Sequence, residues 1–455
     1  SSAPPPPTPV YILRGHNSQI HSLTFSPRNT HLLSGDSDGY IIIWSLSSRR
    51  PTGVWKAHDG GILKVAVWED PAVKGRGKGF LDGGVRIVTH AREHKLCVWR
   101  LPSLAEGETG LDVRMPLEVS GFGGAGGKGT IELRRPWLVA CLLVNTLNFC
   151  GFGSFSGHDR ETKEDSWGPQ LLLALPSAAD SESIDIMTIP SSRRLYRSIK
   201  PPLSSLPPLA ASSANPERKT GMAMCLSLHH FRTHSHPAPE HLLLIAGYES
   251  GELVVYTTLL SRETLDAGVQ LAGDNWTVVY TARPHSQPVL SLASTIENGV
   301  LKVYTTSADS LLSRNEIPLS GLAVKQPERL NGKEVVSDTR HLGQQSVMLR
   351  SDGKLLTAAG WDGRVRVYAA KGKMRELAVL KWHEKGCYAA AFASVDEAIE
   401  DQEGVDMVAD AKEMILRGSG VKVESRELAR ERRETRRHWV AAGDKDGKVS
   451  LWEVY

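Results

Sequence analysis

Four residue types able to carry acid–base chemistry recur along this chain in a fixed order: a histidine, a hydroxyl, a carboxylate and a tryptophan. The first set is His16, Ser34, Asp38 and Trp44; the second is His58, Thr89, Glu93 and Trp99, with glutamate in the aspartate position. Near the end of the sequence His383, Asp446 and Trp452 repeat the order, with Ala442 where a hydroxyl would stand. His285, Thr305 and Asp309 keep three members, and a further set keeps Asp362 with Tyr368 in the tryptophan slot. Serine, histidine and aspartate together can form a nucleophilic triad. A triad is built once, whereas this set returns with each repeat, so the residues read as buried hydrogen-bond networks. In such a network the carboxylate accepts from imidazole, imidazole from hydroxyl and hydroxyl from the indole N–H.

The elements that must hold these residues are short strands. Residues 20–25, 31–35, 40–44 and 53–57 are apolar or alternating runs separated by Ser26-Pro27 and by the turn Asp36-Ser37-Asp38-Gly39. They predict one small antiparallel sheet. Alone it would leave an apolar face wet, so it needs neighbours of its own kind. Residues 62–68, 86–90 and 95–99 predict a second sheet, with 117–120 as its fourth strand. A third is degenerate: runs 137–144, 146–150, 171–175, 184–189 and 195–199 carry none of the polar signature. Four more units follow from residue 222 onward. The last has three strands, 387–392, 439–443 and 448–455, and residues 10–14 can supply the fourth, closing a ring without a free edge. The predicted fold is all-β, a seven-bladed propeller closed by an N-terminal strand in the last blade. Six or eight blades stay open because the third unit is so weak.

Composition agrees with a globular chain. Hydrophobic content is 40% and charged content 23% over 455 residues, and the net charge of +3 gives no concentrated basic surface for nucleic acid. No apolar run reaches the length of a membrane span, and the start of the sequence lacks the pattern of a signal peptide. The five cysteines form no CxxC pair and read as reduced thiols of an intracellular protein. Residues 1–9 read as a proline-rich disordered tail, and 10–455 as a single propeller with insertions at 71–84, 102–130, 153–168, 200–220 and 395–437.

Other motifs weigh less. GFGGAGGKGT at 121–130 resembles a phosphate-binding loop, but Phe122 and Gly129 occupy two required positions, so it reads as a linker. His229, His230, His234, His236 and His241 cluster, yet Pro237 and Pro239 break regular structure, and a surface loop is the simpler reading. Residues 200–219 read as a proline-rich linker. The insertion 395–437 has an acidic first half and an arginine-rich, helix-prone second half; a self-compensating rim loop, a docking helix and a nuclear targeting signal are its readings.

The repeat resembles the WD40 unit of β-propellers. The stretches PTPVYILRGHNSQIHSL, SGDSDGYIIIW, WKAHDGGILKV, THAREHKLCVW, AGYESGEL, AGWDGRVRVY and AAGDKDGKVSLWEVY resemble, more narrowly, the fungal ASTRA-associated protein 1 family, itself similar to animal G-protein β-subunit-like protein 1. That resemblance implies a non-enzymatic scaffold subunit without cofactor, present in nucleus and cytoplasm. It also implies partners: the TTT co-chaperone assembly and the phosphatidylinositol-3-kinase-related kinases it matures. No direct contact with nucleic acid or membrane is expected. A G-protein-β-like signalling adaptor or another WD40 protein-interaction hub is the alternative; the adaptor would need a long N-terminal coiled-coil helix that residues 1–9 do not supply. A propeller enzyme would need a metal or acid–base cluster in the central channel, and the sequence offers no such set.

Overall fold

The computed structural model describes residues 7–69, 80, 84–102, 110–116, 134–147, 149–156, 170–202, 219–233, 239–260, 270–323, 329–395 and 426–454. After β1 (Tyr11–Arg14), the strands β2 (Ile20–Phe25), β3 (His31–Asp36), β4 (Tyr40–Ser45) and β5 (Pro51–Lys56) form blade one in sequential order. Blade two contains β6 (Ile62–Glu69), β7 (Val85–Ala91), β8 (Lys95–Arg100) and β9 (Trp137–Leu143). Blade three contains β10 (Gly153–Ser156), β11 (Leu171–Pro176), β12 (Ile184–Ile189) and β13 (Arg193–Ile199). Blade four is β14 (Ala223–Arg232), β15 (Glu240–Tyr248), β16 (Leu253–Leu259) and, after an excursion, β18 (Thr277–Ala282). Within that excursion β17 (Leu271–Ala272) turns back and pairs in parallel with β13, giving blade three a fifth strand. Blade five is β19 (Val289–Glu297), β20 (Val300–Ser307), β21 (Leu311–Pro318) and β22 (Lys333–Asp338); blade six is β23 (Gln344–Leu349), β24 (Leu355–Gly360), β25 (Arg364–Ala369) and β26 (Glu376–Lys381).

Blade seven holds β27 (Cys387–Phe392), the helix α1 (Arg426–Thr435), β28 (Trp439–Asp444) and β29 (Lys448–Glu453), and β1 completes it. Tyr11 pairs with Leu451 and Arg14 with Lys448, so the first strand of the chain locks the last sheet. The fold is therefore a seven-bladed β-propeller closed by its N-terminal strand.

The core lies between blades rather than within them. Seven apolar clusters each fill one junction of consecutive blades around the ring. Strand alternation makes this possible: successive side chains point to opposite faces. In β4, Ile41 and Ile43 enter the cluster shared with blade two, while Ile42 and Trp44 enter the cluster shared with blade seven. A strand buried on both faces reads as an unbroken run of β-branched residues, as YIIIW does. The turn after β3 needs Gly39, whose φ is +84°; a Cβ there would also collide with the main-chain carbonyl of His58.

Two expectations need correction. Residues 137–144 do not belong to blade three; 137–143 are β9, the outer strand of blade two. The long excursion before β9 hid this pairing. Part of that excursion returns to blade one, where the Val54 N–H donates to Asp112 O at 2.7 Å and Leu111 packs against Gly53. Blade three instead begins with β10, inside the stretch expected as an insertion from 153 to 168; residues 157–169 lie outside the described residues. The run 146–150 has no strand at its described residues, and 117–120 lies outside them, as do 121–130 and 203–218.

Candidate interaction surface

The repeated polar residues come together in four networks, one ahead of each of blades one, two, five and seven. In blade one His16 Nδ1 lies 2.7 Å from Asp36 Oδ2 and its Nε2 lies 2.6 Å from Ser34 Oγ, which accepts the Trp44 indole N–H at 2.8 Å. The carboxylate is Asp36, not the expected Asp38. Asp38 sits exposed in the turn, and its own N–H donates to Asp36 Oδ1 at 3.0 Å, as the Tyr40 N–H does at 2.9 Å. In blade two His58 meets Glu93 Oε1 at 2.7 Å and Thr89 Oγ1 at 2.7 Å, and Trp99 donates to Thr89 at 2.8 Å. In blade five His285 meets Asp309 at 3.0 Å and Thr305 at 2.9 Å.

Blade seven departs twice from expectation. His383 Nδ1 lies 2.7 Å from Asp444 Oδ2, not from Asp446, whose carboxylate instead pairs with Lys385 at 2.7 Å. The missing hydroxyl is supplied by Ser450, 2.7 Å from His383 Nε2 and accepting the Trp452 indole N–H at 2.8 Å. In blade six Asp362 belongs to no histidine network; it grips the buried Arg366 guanidinium through two contacts at 2.5 and 3.2 Å.

One rule covers both aspartate corrections. Blades one and seven have two acidic residues two positions apart, Asp36 with Asp38 and Asp444 with Asp446, and the earlier one is buried at the strand end and takes the imidazole. In blades two and five Ala91 and Ser307 hold that earlier position, so the later Glu93 and Asp309 reach back. Counting from the tryptophan alone cannot separate the two cases. Burial holds His58 and His285 below the usual imidazole range against the pull of their carboxylates, so both are neutral. Nδ1–H then donates to the carboxylate and Nε2 accepts from the hydroxyl. These sets are buried and committed to each other, so their chemistry is structural: they fix the loop entering each blade.

The histidine cluster also disperses. His229 Nε2 lies 2.7 Å from Ser294, His230 meets Glu240 at 3.2 Å and His241 meets Thr257 at 3.3 Å; His234 and His236 lie outside the described residues. No three potential metal ligands converge among the described residues. The central cavity, about 520 Å³, is lined by hydroxyls such as Ser22, Thr24 and Ser291 and by Lys64, whose ammonium donates to Phe152 O at 2.7 Å.

The surface offers a different feature. β9 reads WLVACLL, without a single charge, and Trp137, Leu138, Val139 and Leu143 are 48–67% exposed. It is the outer strand of its sheet, and among the described residues no strand pairs with its other side. Leu147 (77%) and Phe149 (46%) are also exposed, and Phe149 stands at the central cavity rather than at the edge. Arginines border the edge: Arg100 stacks over Trp137 at 4.4 Å, and Arg134 and Arg135 stand exposed just ahead. The outer strands β22 (KEVVSD) and β26 (ELAVLK), by contrast, carry charges at both ends, the usual protection of an edge. Sequence reading placed these residues in the wrong blade and so missed the edge; the uncharged seven-residue run was the available signal.

Comparison with known proteins fits this architecture. A family profile described as ASTRA-associated protein 1 matches residues 9–453. The ASTRA-associated protein 1 of Aspergillus flavus is 37% identical over 474 residues, covering 99% of this chain and 98% of the relative. That of Verticillium alfalfae is 38% identical, covering 99% and 94%, and that of Schizosaccharomyces pombe is 30% identical, covering 85% and 93%. Among solved structures, the β-propeller domain of Myceliophteria thermophila Cps50 (Swd1) superposes with a TM-score of 0.53 at 14% identity over 99% of this chain and 100% of that one, a likeness of fold alone. Matched along nearly its whole length by the profile and by its relatives, the chain belongs to the ASTRA-associated protein 1 family.

Proposed function

We propose that the chain is a non-enzymatic scaffold subunit of the ASTRA complex. In this reading it acts with the TTT co-chaperone assembly in the maturation and stability of phosphatidylinositol-3-kinase-related kinases and in chromatin-related regulation, in nucleus and cytoplasm. Family membership supports the complex; the closed ring supports the scaffold role, since a rigid frame presents loops and edges without paying to order them. The observation that carries the reading is the uncharged, exposed edge strand β9. Such an edge takes an added strand from a partner: main-chain hydrogen bonds give affinity and side-chain pockets give register. The bordering arginines favour a partner segment that mixes apolar and acidic residues.

The test is affinity purification of the full chain from native extract, beside a variant carrying Trp137→Glu and Leu143→Glu. The wild type should come down with the complex, and the variant should lose at least one partner while keeping the wild-type melting temperature. Recovery of the wild type as a free monomer under gentle conditions, or an unchanged partner set for the variant, would sink the proposal.

A further inference from the structure

Cys97 on β8 and Cys141 on β9 are direct cross-strand partners, and their sulfurs lie 4.0 Å apart. Cys97 is 4% exposed, whereas Cys141 is open to solvent. The ladder fixes the kind of pair they make. Just beyond the strands the Val144 N–H donates to His94 O at 3.0 Å, and 94 and 144 continue the register in which 95 faces 143. Hydrogen-bonded and non-hydrogen-bonded pairs alternate along an antiparallel ladder. Leu96 with Leu142 is therefore a bonded pair, and Cys97 with Cys141 is a non-bonded pair. That is the close class, with Cα atoms about 4.5 Å apart, inside the span a disulfide accepts. β9 is an edge strand with a bulge opposite Val98 and Trp99, so it has room to move the remaining distance.

We propose that Cys97 and Cys141 are a reversible oxidation site, closing to a disulfide that staples the outer strand of blade two to its neighbour when the protein meets a peroxide. The accessible Cys141 reacts first: its thiolate sulfur attacks one peroxide oxygen, the O–O bond breaks, and the departing hydroxide takes a proton to leave as water. Cys97 Sγ then displaces the hydroxyl from the Cys141 sulfenic acid, and its proton leaves with that hydroxide as a second water. Two thiols and one peroxide thus give one disulfide and two waters, and a dithiol reverses the change. Burial pushes the Cys97 thiol up to about 12, which disfavours it for the first attack; its place in the second step rests on its position directly across from Cys141. The other thiols lack this arrangement: Cys150 donates to Gly151 O and Cys225 to Val289 O. The site stands whether or not β9 is a docking edge.

The experiment uses the full chain, fully reduced, transferred to thiol-free buffer and exposed to hydrogen peroxide near equimolar concentration. The wild type should lose two of its five titratable thiols, lose two hydrogens in intact mass, and yield a peptide containing Cys97 joined to Cys141 that separates with dithiothreitol. The Cys141→Ser variant, altered at an exposed position, should keep all its remaining thiols under the same exposure. A Cys97→Ala variant should instead accumulate a Cys141 sulfenic acid that dimedone traps. Oxidation of Cys141 to sulfinic acid with Cys97 left as a thiol would overturn the proposal, and so would a Cys141–Cys141 bond between two molecules.

Discussion

Ser450 faces Ala442 directly across the β28–β29 ladder, and in blade seven the hydroxyl of the histidine network stands on the third strand instead of the second. In blade one the equivalent rung is Ser34 opposite Ile42, with the hydroxyl on the earlier strand. Partners on one rung point to the same face, so the oxygen can sit on either strand and still reach both imidazole and indole. Ser450→Ala should leave His383 Nε2 and the Trp452 N–H buried without a partner and cost about 3 kcal/mol. Adding Ala442→Ser to that variant restores the hydroxyl in the blade-one arrangement and should recover most of the loss. Urea denaturation of wild type, single and double variants measures this; equal stability of single and double variants would refute the exchange.

The two aspartates of the first turn should separate sharply. Asp36 is fully buried and carries His16 plus the N–H groups of Asp38 and Tyr40, whereas Asp38 is exposed. Asp36→Ala should cost roughly 3 kcal/mol, the scale of removing one partner from a buried charged hydrogen-bond set, and Asp38→Ala no more than about 0.5 kcal/mol. Asp444 and Asp446 should repeat the contrast, with the Asp446 change also freeing Lys385. Comparable losses at both members of either pair would show that the inner carboxylate is not the one that matters.

These pairs also mark how far the sequence was legible. Strand periodicity and turn residues predicted a seven-bladed ring and its closure by the strand at 10–14, because each clear blade repeats a local pattern of about 40 residues. What failed was non-local. Nothing near Trp137 says that it pairs with Arg100 across the excursion between them, and nothing near Gly153 says that a four-residue strand opens a blade there. In blade six the expected Asp362 serves Arg366 instead of a histidine, and Ser450 was missed because it stands on the facing strand. In the four histidine networks the carboxylate was named correctly where one was on offer and wrongly where two competed. Burial decided that competition, and burial comes from the neighbouring blade. The edge strand β9, the feature with most to say about function, became visible only once its blade was right.

His90 should make the protein acid-labile. It is 1% exposed, neither ring nitrogen has a partner among the described residues, and burial, reinforced by repulsion from His58 and Lys64, pushes it down to about 3. An unfolded histidine takes a proton near pH 6.5. Above that value the two states bind equal numbers of protons and the residue adds no pH dependence. Below it the unfolded chain binds one more, so folded stability is lost at up to about 1.4 kcal/mol per pH unit until about pH 3. His90→Phe, beside the Phe152 ring, should match or exceed wild type at pH 7 and gain on it steadily as pH falls to 5. Parallel stability curves for the two proteins across that range would show that His90 is not the titrating group.

The end of the long insertion is built into the ring, which sets what can be removed. Asn29, in the β2–β3 connection, donates to Ser394 O at 2.7 Å and Thr435 O at 3.3 Å and accepts the Ser394 N–H at 2.9 Å. Glu434 is buried with Arg49 and Arg437 each 3.7 Å away, and the Trp439 indole donates to its carbonyl at 2.9 Å. Deleting 395–437 removes the contacts of Thr435, Glu434 and Arg437 and exposes the buried face of Trp439, so soluble yield and melting temperature should both fall. Deleting only 396–425 keeps them. Asn29 gathers Ser394 and the C-terminal end of α1, and a ten-residue helix is about 15 Å long, so the start of α1 lies about that far from Ser394. A linker of about eight glycine and serine residues spans that distance with slack. The shorter deletion should therefore melt within a few degrees of wild type, and any partner it loses can be assigned to 396–425. If the full deletion is as stable as the short one, α1 is an appendage and its contacts with Asn29 and Trp439 carry little energy.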